Sequence, residues 1–348
     1  MQTLESSLLT SSSDLSPRSN QVNEQVIAAI ADLRNSLPPP GEGESLIRWQ
    51  RFMAIGALDL SVAKIVESHF DAVAIIQEAG VTPFSGIYAV WASKFGGRHL
   101  RAHFDSNSNT WMIEGQLAFC SAASLIDYAL IPVSTPDGEI LFQIPSHSIE
   151  IDSGDVASWH TPGMSDTDTV WVKVKAQLPH SNAVGKPGFY LERRGFWIGG
   201  IGVAALWLGA AQKIFATWQS LSRERSRVDS FEQAARAECF IDLQCCGAMF
   251  LQAAELVDNP KSPIVRIKET ALMIRHLVDK TANRLLEQSL RNLGPMAMIA
   301  HSEHSRRCLD LQIFTRQCHA ERDLAELCRE LDNTIAETPI GRGKVWFE

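Results

Sequence analysis

The segment Gln116-Leu117-Ala118-Phe119-Cys120-Ser121-Ala122-Ala123 connects two stretches that both have the composition of β-strands. The strand before it is predicted over residues 110–115 and the strand after it over residues 127–133. A connection between strands usually consists of polar residues and glycine, whereas this one is small and apolar, with one aromatic ring and one hydroxyl. Because small residues can lie flat against a planar ligand, we take this segment as the candidate site.

The composition is that of a soluble globular protein of more than one domain. At 348 residues the chain is longer than a single hydrophobic core usually supports, so two or three domains are expected. The formal net charge of -8 argues against a nucleic acid partner, because phosphate neutralisation requires clustered Lys and Arg. The N-terminus lacks the basic start and apolar core of a signal peptide, and a cytoplasmic location is expected.

The cysteines do not follow the spacing of a disulfide framework or a metal site. There are seven, an odd number, and none forms a CxxC pair. The neighbours Cys245 and Cys246 are typical of reduced thiols in a cytoplasmic protein. No set of His and Cys has ligand spacing, so no metal is expected.

An uncharged stretch from Phe196 to Gln212 raises the question of a membrane span. It is shorter than the roughly 20 apolar residues that a transmembrane helix requires, and Lys213 follows it at once. We therefore predict a buried helix at the centre of a bundle and no membrane span.

The pattern of periodicity divides the chain into a disordered tail and three domains. Residues 1–20 are predicted to be disordered, residues 21–83 to form an N-terminal helical domain with one convincing long helix, and residues 84–190 to form a middle antiparallel β domain. Residues 191–348 are predicted to form a C-terminal four-helix bundle. Its helices are expected over residues 196–221, 230–257, 262–293 and 302–334. The fold class is therefore α+β.

Four segments, taken in order, resemble those of a known family. They are Tyr88-Ala89-Val90-Trp91-Ala92-Ser93 with Gly96-Gly97 behind it, Trp111 to Gln116, Phe119-Cys120-Ser121-Ala122, and Leu293-Gly294. Together with the order of helices, β domain and bundle, they resemble the acyl-CoA dehydrogenase family. In that family the first segment contacts a flavin, the third packs on its isoalloxazine ring, and the fourth precedes the last long helix.

The resemblance implies an acyl-CoA dehydrogenase-like fold, an FAD between the β domain and the bundle, and a homo-oligomer of packed bundles. The positions that it assigns to cofactor binding are Tyr88, Val90, Trp91, Ala92, Gly97, Phe119, Cys120, Ser121 and Gly294. A flavin requires a flat apolar wall, which Phe119 can supply with Trp91 nearby. Its pyrimidine edge requires donors, which the hydroxyl of Ser121 and the backbone N–H groups of 89–92 and 119–121 can supply.

The chain also departs from the family pattern. Alignment places Thr315 where many members carry a catalytic glutamate, and threonine is no general base at neutral pH. The segment from Arg225 to Phe231 lacks the glycine of the Arg-x-x-Phe-Gly motif that reaches the cofactor of a neighbouring subunit, and Pro295 replaces the second glycine of Leu-Gly-Gly. The last two departures argue against strong binding of the adenine end of the cofactor.

Two residues near the missing base are candidates for acid-base chemistry. They are His319 and Glu321, and on a helix His319 would share a face with Asp323 at i, i+4. The alternative interpretation is an exposed final turn with ordinary helix charges.

Three functions remain open at this point. The first is an FAD-dependent oxidoreductase acting on an acyl-CoA or a related small molecule, with an unidentified electron acceptor. The second is a monooxygenase on the same fold that receives reduced flavin from a reductase. The third is a non-catalytic scaffold that has lost the base.

Overall fold

The computed structural model describes residues 17–152, 159–226 and 228–337. Most of the tail predicted to be disordered, residues 1–16, lies outside this part of the chain. The first helix, α1, is Pro17–Leu33, so the last four residues of the predicted tail, 17–20, are helical.

Three helices precede the sheet, where the sequence pattern predicts a short helix over residues 21–33 and one long helical stretch over residues 45–79. They are α1, α2 (Ser45–Leu58) and α3 (Leu60–Glu78). Asp59 separates α2 from α3 because its backbone is extended, at φ -152° and ψ 124°. Its carboxylate accepts hydrogen bonds from the N–H groups of Ser61 and Val62, which caps α3. The helical content of this region agrees with its periodicity, and the break at Asp59 was not predicted.

The middle domain is a sheet of eight strands. They are β1 (Tyr88–Val90), β2 (Leu100–Asp105), β3 (Thr110–Cys120), β4 (Tyr128–Thr135), β5 (Gly138–Pro145), β6 (Ile149–Ile151), β7 (Val170–Pro179) and β8 (Ala183–Val184). The main order is β6-β7-β3-β2-β4-β5-β8, and β1 pairs with β4. The sheet is mixed, and the prediction of purely antiparallel pairing is corrected on this point. Strand β4 runs parallel to both β1 and β2.

The C-terminal region is helical, as predicted, but its last element is not one helix. Its members are α4 (Phe189–Glu192), α5 (Gly195–Arg223), α6 (Ser230–Asp258), α7 (Ile264–Leu293), α8 (Pro295–Ala300), α9 (Ser302–Phe314) and α10 (Glu321–Glu337). The helix predicted over 302–334 breaks between α9 and α10. Cys318 is extended there, Ala320 is left-handed at φ 42°, and the Arg275 guanidinium donates to the carbonyl of Gln317 at 2.9 Å.

Helix α5 forms the centre of the bundle, which agrees with the prediction of a buried apolar helix. A Cβ atom on Gly209 would lie 1.9 Å from the carbonyl oxygen of Met53, so glycine is required where α5 crosses α2. By length and composition, both α5 and α6 could cross a membrane. The most apolar part of α5 is 72% buried within the protein and that of α6 only 33%, so α5 is a core helix.

Candidate functional site

The segment Phe119–Ala123 leaves the sheet through a β-bulge. The pairing of β3 with β7 shifts register between Leu117 and Cys120, and Phe119 has a left-handed backbone at φ 62°. A bulge turns a side chain away from the face that alternation would give it. The Phe119 side chain is consequently 45% exposed, while Leu117 and Cys120 on either side of it are buried.

Hydrogen bonds hold this segment against the start of β7 and the loop after β1. The N–H of Ala122 donates to the carbonyl of Thr167 at 2.8 Å, and the Ser121 hydroxyl lies 2.8 Å from the Thr169 hydroxyl. On the other side, the Trp91 indole donates to the carbonyl of Ser121 at 3.0 Å. The segment is therefore fixed from two directions, and the hydroxyls of Thr167 and Thr169 belong to the site although sequence reasoning did not name them.

The exposed ring of Phe119 belongs to an aromatic patch. Its centroid lies 5.1 Å from that of Phe95, and Phe95 in turn lies 6.3 Å from Trp171, both in edge-to-face geometry. The Arg98 guanidinium lies 4.2 Å above the Trp171 ring. This surface offers an apolar wall beside a positive charge, which suits a planar ring that carries an anionic group.

Polar donors beside the patch are only partly available. The N–H of Val90 donates to the Ser68 hydroxyl, and the N–H of Trp91 donates to the carbonyl of Leu130. These two groups were expected to donate to a ligand, but they are already bonded within the chain. The N–H groups of Ala92 and Ser121 have no hydrogen-bond partner among the described residues. An exposed aromatic wall with two unpaired N–H donors beside it fits the ring and the polar edge of a flavin.

Four of the predicted cofactor contacts are buried, and the Ser121 among them is 8% exposed. Tyr88 is 0% exposed, with its hydroxyl donating to Gln143 at 2.7 Å. Cys120 is also 0% exposed, and burial raises the pKa of its thiol. Trp91 is 3% exposed, so its ring supports the segment from inside and is not the second wall that was expected. Contacts of these residues with a ligand would have to involve their backbone, as would contacts of the half-buried Val90.

The two glycines among the predicted contacts lie at different places. Gly97 follows β1 and has φ 73° beside the aromatic patch, with open space where a Cβ atom would lie. Gly294 ends α7 at φ 72°, also with open space around it. The Arg225 guanidinium donates to the carbonyls of Asn292 and Leu293 directly before it.

His319 lies in the connection between α9 and α10, and Glu321 is the first residue of α10. His319 precedes the helix, and its Nδ1 lies 3.4 Å from the Asp323 carboxylate, which also accepts the His319 backbone N–H at 3.2 Å. His319 contacts Asp323, but the two do not share the face of one helix as predicted, because His319 lies outside α10. The His319 side chain is 56% exposed and Glu321 is exposed. No hydrogen bond or ion pair joins either residue to the segment Phe119–Ala123 within the described chain, and their acid-base role stays a prediction.

A buried carboxylate on α3 was missed from the sequence. Glu67 is 6% exposed and makes no hydrogen bond or ion pair with a described residue. Burial and the nearby Asp71 carboxylate raise its pKa to about 7, against the charges of Lys64, Arg48 and others. Its neighbour Ser68 accepts the N–H of Val90, so α3 packs directly against the loop that leads to Ala92. The only sequence signal was a glutamate within the apolar stripe of α3.

A cavity that lies away from this segment is the larger of the two described here. It has a volume of about 650 Å³ and is lined by α1, the junction of α2 and α3, Lys213 and the start of α9. Its polar groups include Arg18, Asp59 and Arg306, of which Asp59 forms ion pairs with both arginines. The aromatic patch around Phe119 is an exposed surface and not an enclosed pocket.

Comparison with solved structures identifies the fold. The complex of TdsC from Paenibacillus sp. A11-2 with FMN and indole aligns with a TM-score of 0.76 and 17% identity, over 92% of this chain and 91% of that chain. Methanesulfinate monooxygenase MsuC from Pseudomonas fluorescens gives a TM-score of 0.72 at 16% identity, over 92% and 91%. Butyryl-CoA dehydrogenase from Megasphaera elsdenii gives 0.71 at 16% identity, over 91% and 90%. The chain has the acyl-CoA dehydrogenase fold.

This result confirms the fold expected from the segments around Tyr88, Phe119 and Leu293. Identities of this size establish the fold alone. No protein-family model matches the sequence, and no curated protein matches it.

Proposed function

We propose that this chain is a flavin-dependent oxidoreductase that acts on a small molecule. The observation that carries the proposal is the exposed ring of Phe119, which a left-handed backbone turns outward beside the unpaired N–H of Ser121. An exposed aromatic ring in a strained conformation is costly unless a ligand covers it. The acyl-CoA dehydrogenase fold and the FMN bound to TdsC support the same conclusion.

In this proposal each group of the segment has one task. The Phe119 ring packs on the flavin, and the N–H groups of Ala92 and Ser121 donate to its polar edge. The hydroxyl chain from Ser121 through Thr169 to Thr167 orients the Ser121 side chain. A bound flavin would supply two-electron redox chemistry at this surface.

We propose that recognition involves the flavin and its ribityl chain more than the adenine of FAD. The Arg225 guanidinium is bound to Glu232 and to the carbonyls of Asn292 and Leu293, so it has few donors left for a cofactor phosphate. The FAD expected from the resemblance and the FMN held by TdsC and KijD3 would then bind with similar affinity.

Flavin titration tests the proposal. We expect the purified protein to bind FMN and FAD with the visible absorption bands of oxidised flavin, and we expect Phe119→Ala to weaken both by about tenfold through loss of stacking. Phe104→Ala is the matched control, because Phe104 is a similarly exposed phenylalanine (42%) of the same sheet. A colourless protein that takes up neither flavin would contradict the proposal.

A flavin monooxygenase that receives reduced flavin from a reductase is the second candidate. It is favoured by Thr315, which is 1% exposed and has no acid-base capacity at the position of the family's glutamate. Oxygen consumption that depends on supplied reduced FMN would support this candidate. Anaerobic bleaching of the bound flavin by butyryl-CoA would instead support a dehydrogenase acting on an acyl-CoA.

We also propose that the chain forms a homo-oligomer in the cytoplasm. Four large apolar side chains of α6 are exposed, and they are Phe231 (83%), Phe240 (49%), Ile241 (58%) and Leu251 (55%). Phe240, Ile241 and Leu251 share one side of the helix, with Phe231 opposite, and an exposed apolar face of this kind is typical of a protein interface. Sedimentation of the purified protein as a monomer at micromolar concentration would contradict this part of the proposal.

A further inference from the structure

A second cavity lies on the other side of α3, between the α1–α2 connection and the segment before β1. Its volume is about 350 Å³. The proposed flavin site does not use the polar groups that line it, which include Arg34, Arg48 and His69. The resemblance assigned none of these three residues a role.

His69 presents an unpaired donor in this cavity. Its Nδ1 accepts the backbone N–H of Tyr88 at 3.1 Å, so the neutral ring carries its proton on Nε2. Burial and the charge of Arg34 lower the pKa of His69 to about 4, which keeps the ring neutral at physiological pH. The residue is 5% exposed, and Nε2 has no hydrogen-bond partner among the described residues. The ring lines the cavity, so a ligand there can accept a hydrogen bond from Nε2–H.

The charged groups around the cavity favour an anion. Arg34 is exposed and forms no ion pair within the described residues. Arg48 is buried and is fixed by hydrogen bonds to the carbonyls of Pro38 and Phe70. Two carboxylates, Glu67 and Asp71, act on Arg48 through their charge. Neither of them lines the cavity, and the described lining contains no Asp or Glu. A guanidinium and a neutral N–H donor therefore face a space that holds no negative charge.

The remaining walls are apolar and set the size of the ligand. They include Phe70, Phe84, Val73 and the prolines at 39, 40 and 83. A volume of about 350 Å³ is at the lower end for small-molecule sites, which are mostly apolar with a few polar groups. An inorganic anion would leave these walls unfilled, whereas an aromatic acid would cover them.

We propose that this cavity binds a small aromatic carboxylate. The carboxylate accepts hydrogen bonds from the Arg34 guanidinium and from Nε2–H of His69, and the ring lies between Phe70 and Phe84. Arg34 confers specificity for a carboxylate because the guanidinium can donate to both of its oxygens.

Titration calorimetry of the full-length protein with sodium benzoate tests the proposal. We expect saturable binding of benzoate, and inorganic phosphate should bind at least about tenfold more weakly because it leaves the apolar walls uncovered. Arg34→Ala should weaken benzoate by about tenfold or more through loss of a charge-assisted hydrogen bond. Arg291→Ala, which removes an exposed arginine of α7, is the matched control and should bind benzoate as the wild type does.

A second variant tests the cavity without removing a charge. Ala74→Trp places a large ring in the space while keeping Arg34, Arg48 and His69, so it should abolish benzoate binding. Its melting temperature and its flavin binding show whether the fold is intact and separate this proposal from the flavin proposal. Absence of benzoate binding to the wild type, phosphate binding as tight as benzoate, or unchanged benzoate binding in either Arg34→Ala or a folded Ala74→Trp would each overturn the assignment.

Discussion

The indole Nε1 of Trp91 donates a 3.0 Å hydrogen bond to the carbonyl oxygen of Ser121. This bond joins the loop after β1 to the segment after β3, and both of its partners are buried. It fixes the peptide group that follows Ser121. The unpaired N–H of Ser121 belongs to the peptide group directly before it. Two segments that are distant in sequence are thereby held as one surface.

Replacing Trp91 with phenylalanine should separate this bond from the packing of the ring. We expect the free energy of unfolding to fall by about 1–2 kcal/mol, since the Ser121 carbonyl loses its donor and the smaller ring leaves space. Flavin affinity should fall as well, because the segment is no longer fixed. Urea unfolding and flavin titration measure the two effects.

The control for this variant is Trp111→Phe. Trp111 also lies in the β domain and donates from Nε1, to His180 at 3.3 Å. It should lose a similar amount of stability without a change in flavin affinity. Equal losses of flavin affinity in both variants would indicate general loosening of the sheet instead of a role for the Trp91–Ser121 bond.

Phe119 should respond differently to glycine and to alanine. At φ 62° an L-residue is strained, and glycine is not. We therefore expect Phe119→Gly to be more stable than Phe119→Ala by up to about 1 kcal/mol, while both variants lose flavin affinity. Thermal unfolding in the absence of flavin checks the order of stability, and a less stable glycine variant would show that the left-handed backbone is not maintained.

The candidate segment stood out in the sequence because its composition is unusual for a connection between strands, but residues 116–120 belong to β3 and the connection begins only after Cys120. Its partners did not stand out. Thr167 and Thr169 reach Ser121 and Ala122 from the start of β7, and only the folded chain brings them together. The outward turn of Phe119 depends on a register shift in the sheet, which alternation alone does not reveal.

The predicted helix boundaries were wrong where a single non-glycine residue leaves the helical conformation. Asp59 divides α2 from α3, and Ala320 precedes α10 at φ 42°, yet neither position carries the glycine or proline that marks a break in sequence. Tertiary contacts determine both breaks. At Asp59 these are ion pairs with Arg18 and Arg306, and near Ala320 the bond from Arg275 to the Gln317 carbonyl.

Glu67 should make stability depend on pH. Burial raises its pKa to about 7 in the folded protein from the ordinary value of 4.5, so the folded state holds the proton more tightly than the unfolded state. Its contribution is therefore fully present below about pH 4.5 and is lost as pH rises to about 7. Relative to Glu67→Gln, the wild type should lose roughly 3 kcal/mol between pH 4.5 and pH 8.

Urea unfolding of both proteins at several pH values measures this difference. Glu255→Gln, an exposed substitution on α6, is the matched control for the amide replacement. Parallel stability profiles of the wild type and Glu67→Gln would show that Glu67 does not hold its proton in the folded state.

Arg225 should matter for stability and not for the choice of flavin. Its guanidinium donates to the carbonyls of Asn292 and Leu293 at the end of α7 and lies 3.2 Å from the Glu232 carboxylate, which is 4% exposed. Arg225→Ala leaves that buried carboxylate without its cation, so we expect a loss of about 2–4 kcal/mol in the free energy of unfolding. Arg223→Ala, an exposed arginine at the end of α5, should lose little by comparison.

Because Arg225 is bound within its own chain, the ratio of FMN to FAD affinity should not change in a folded Arg225→Ala protein. A selective loss of FAD affinity would mean that this guanidinium reaches the adenine half of a cofactor after all, and that the preference proposed for the flavin end is wrong.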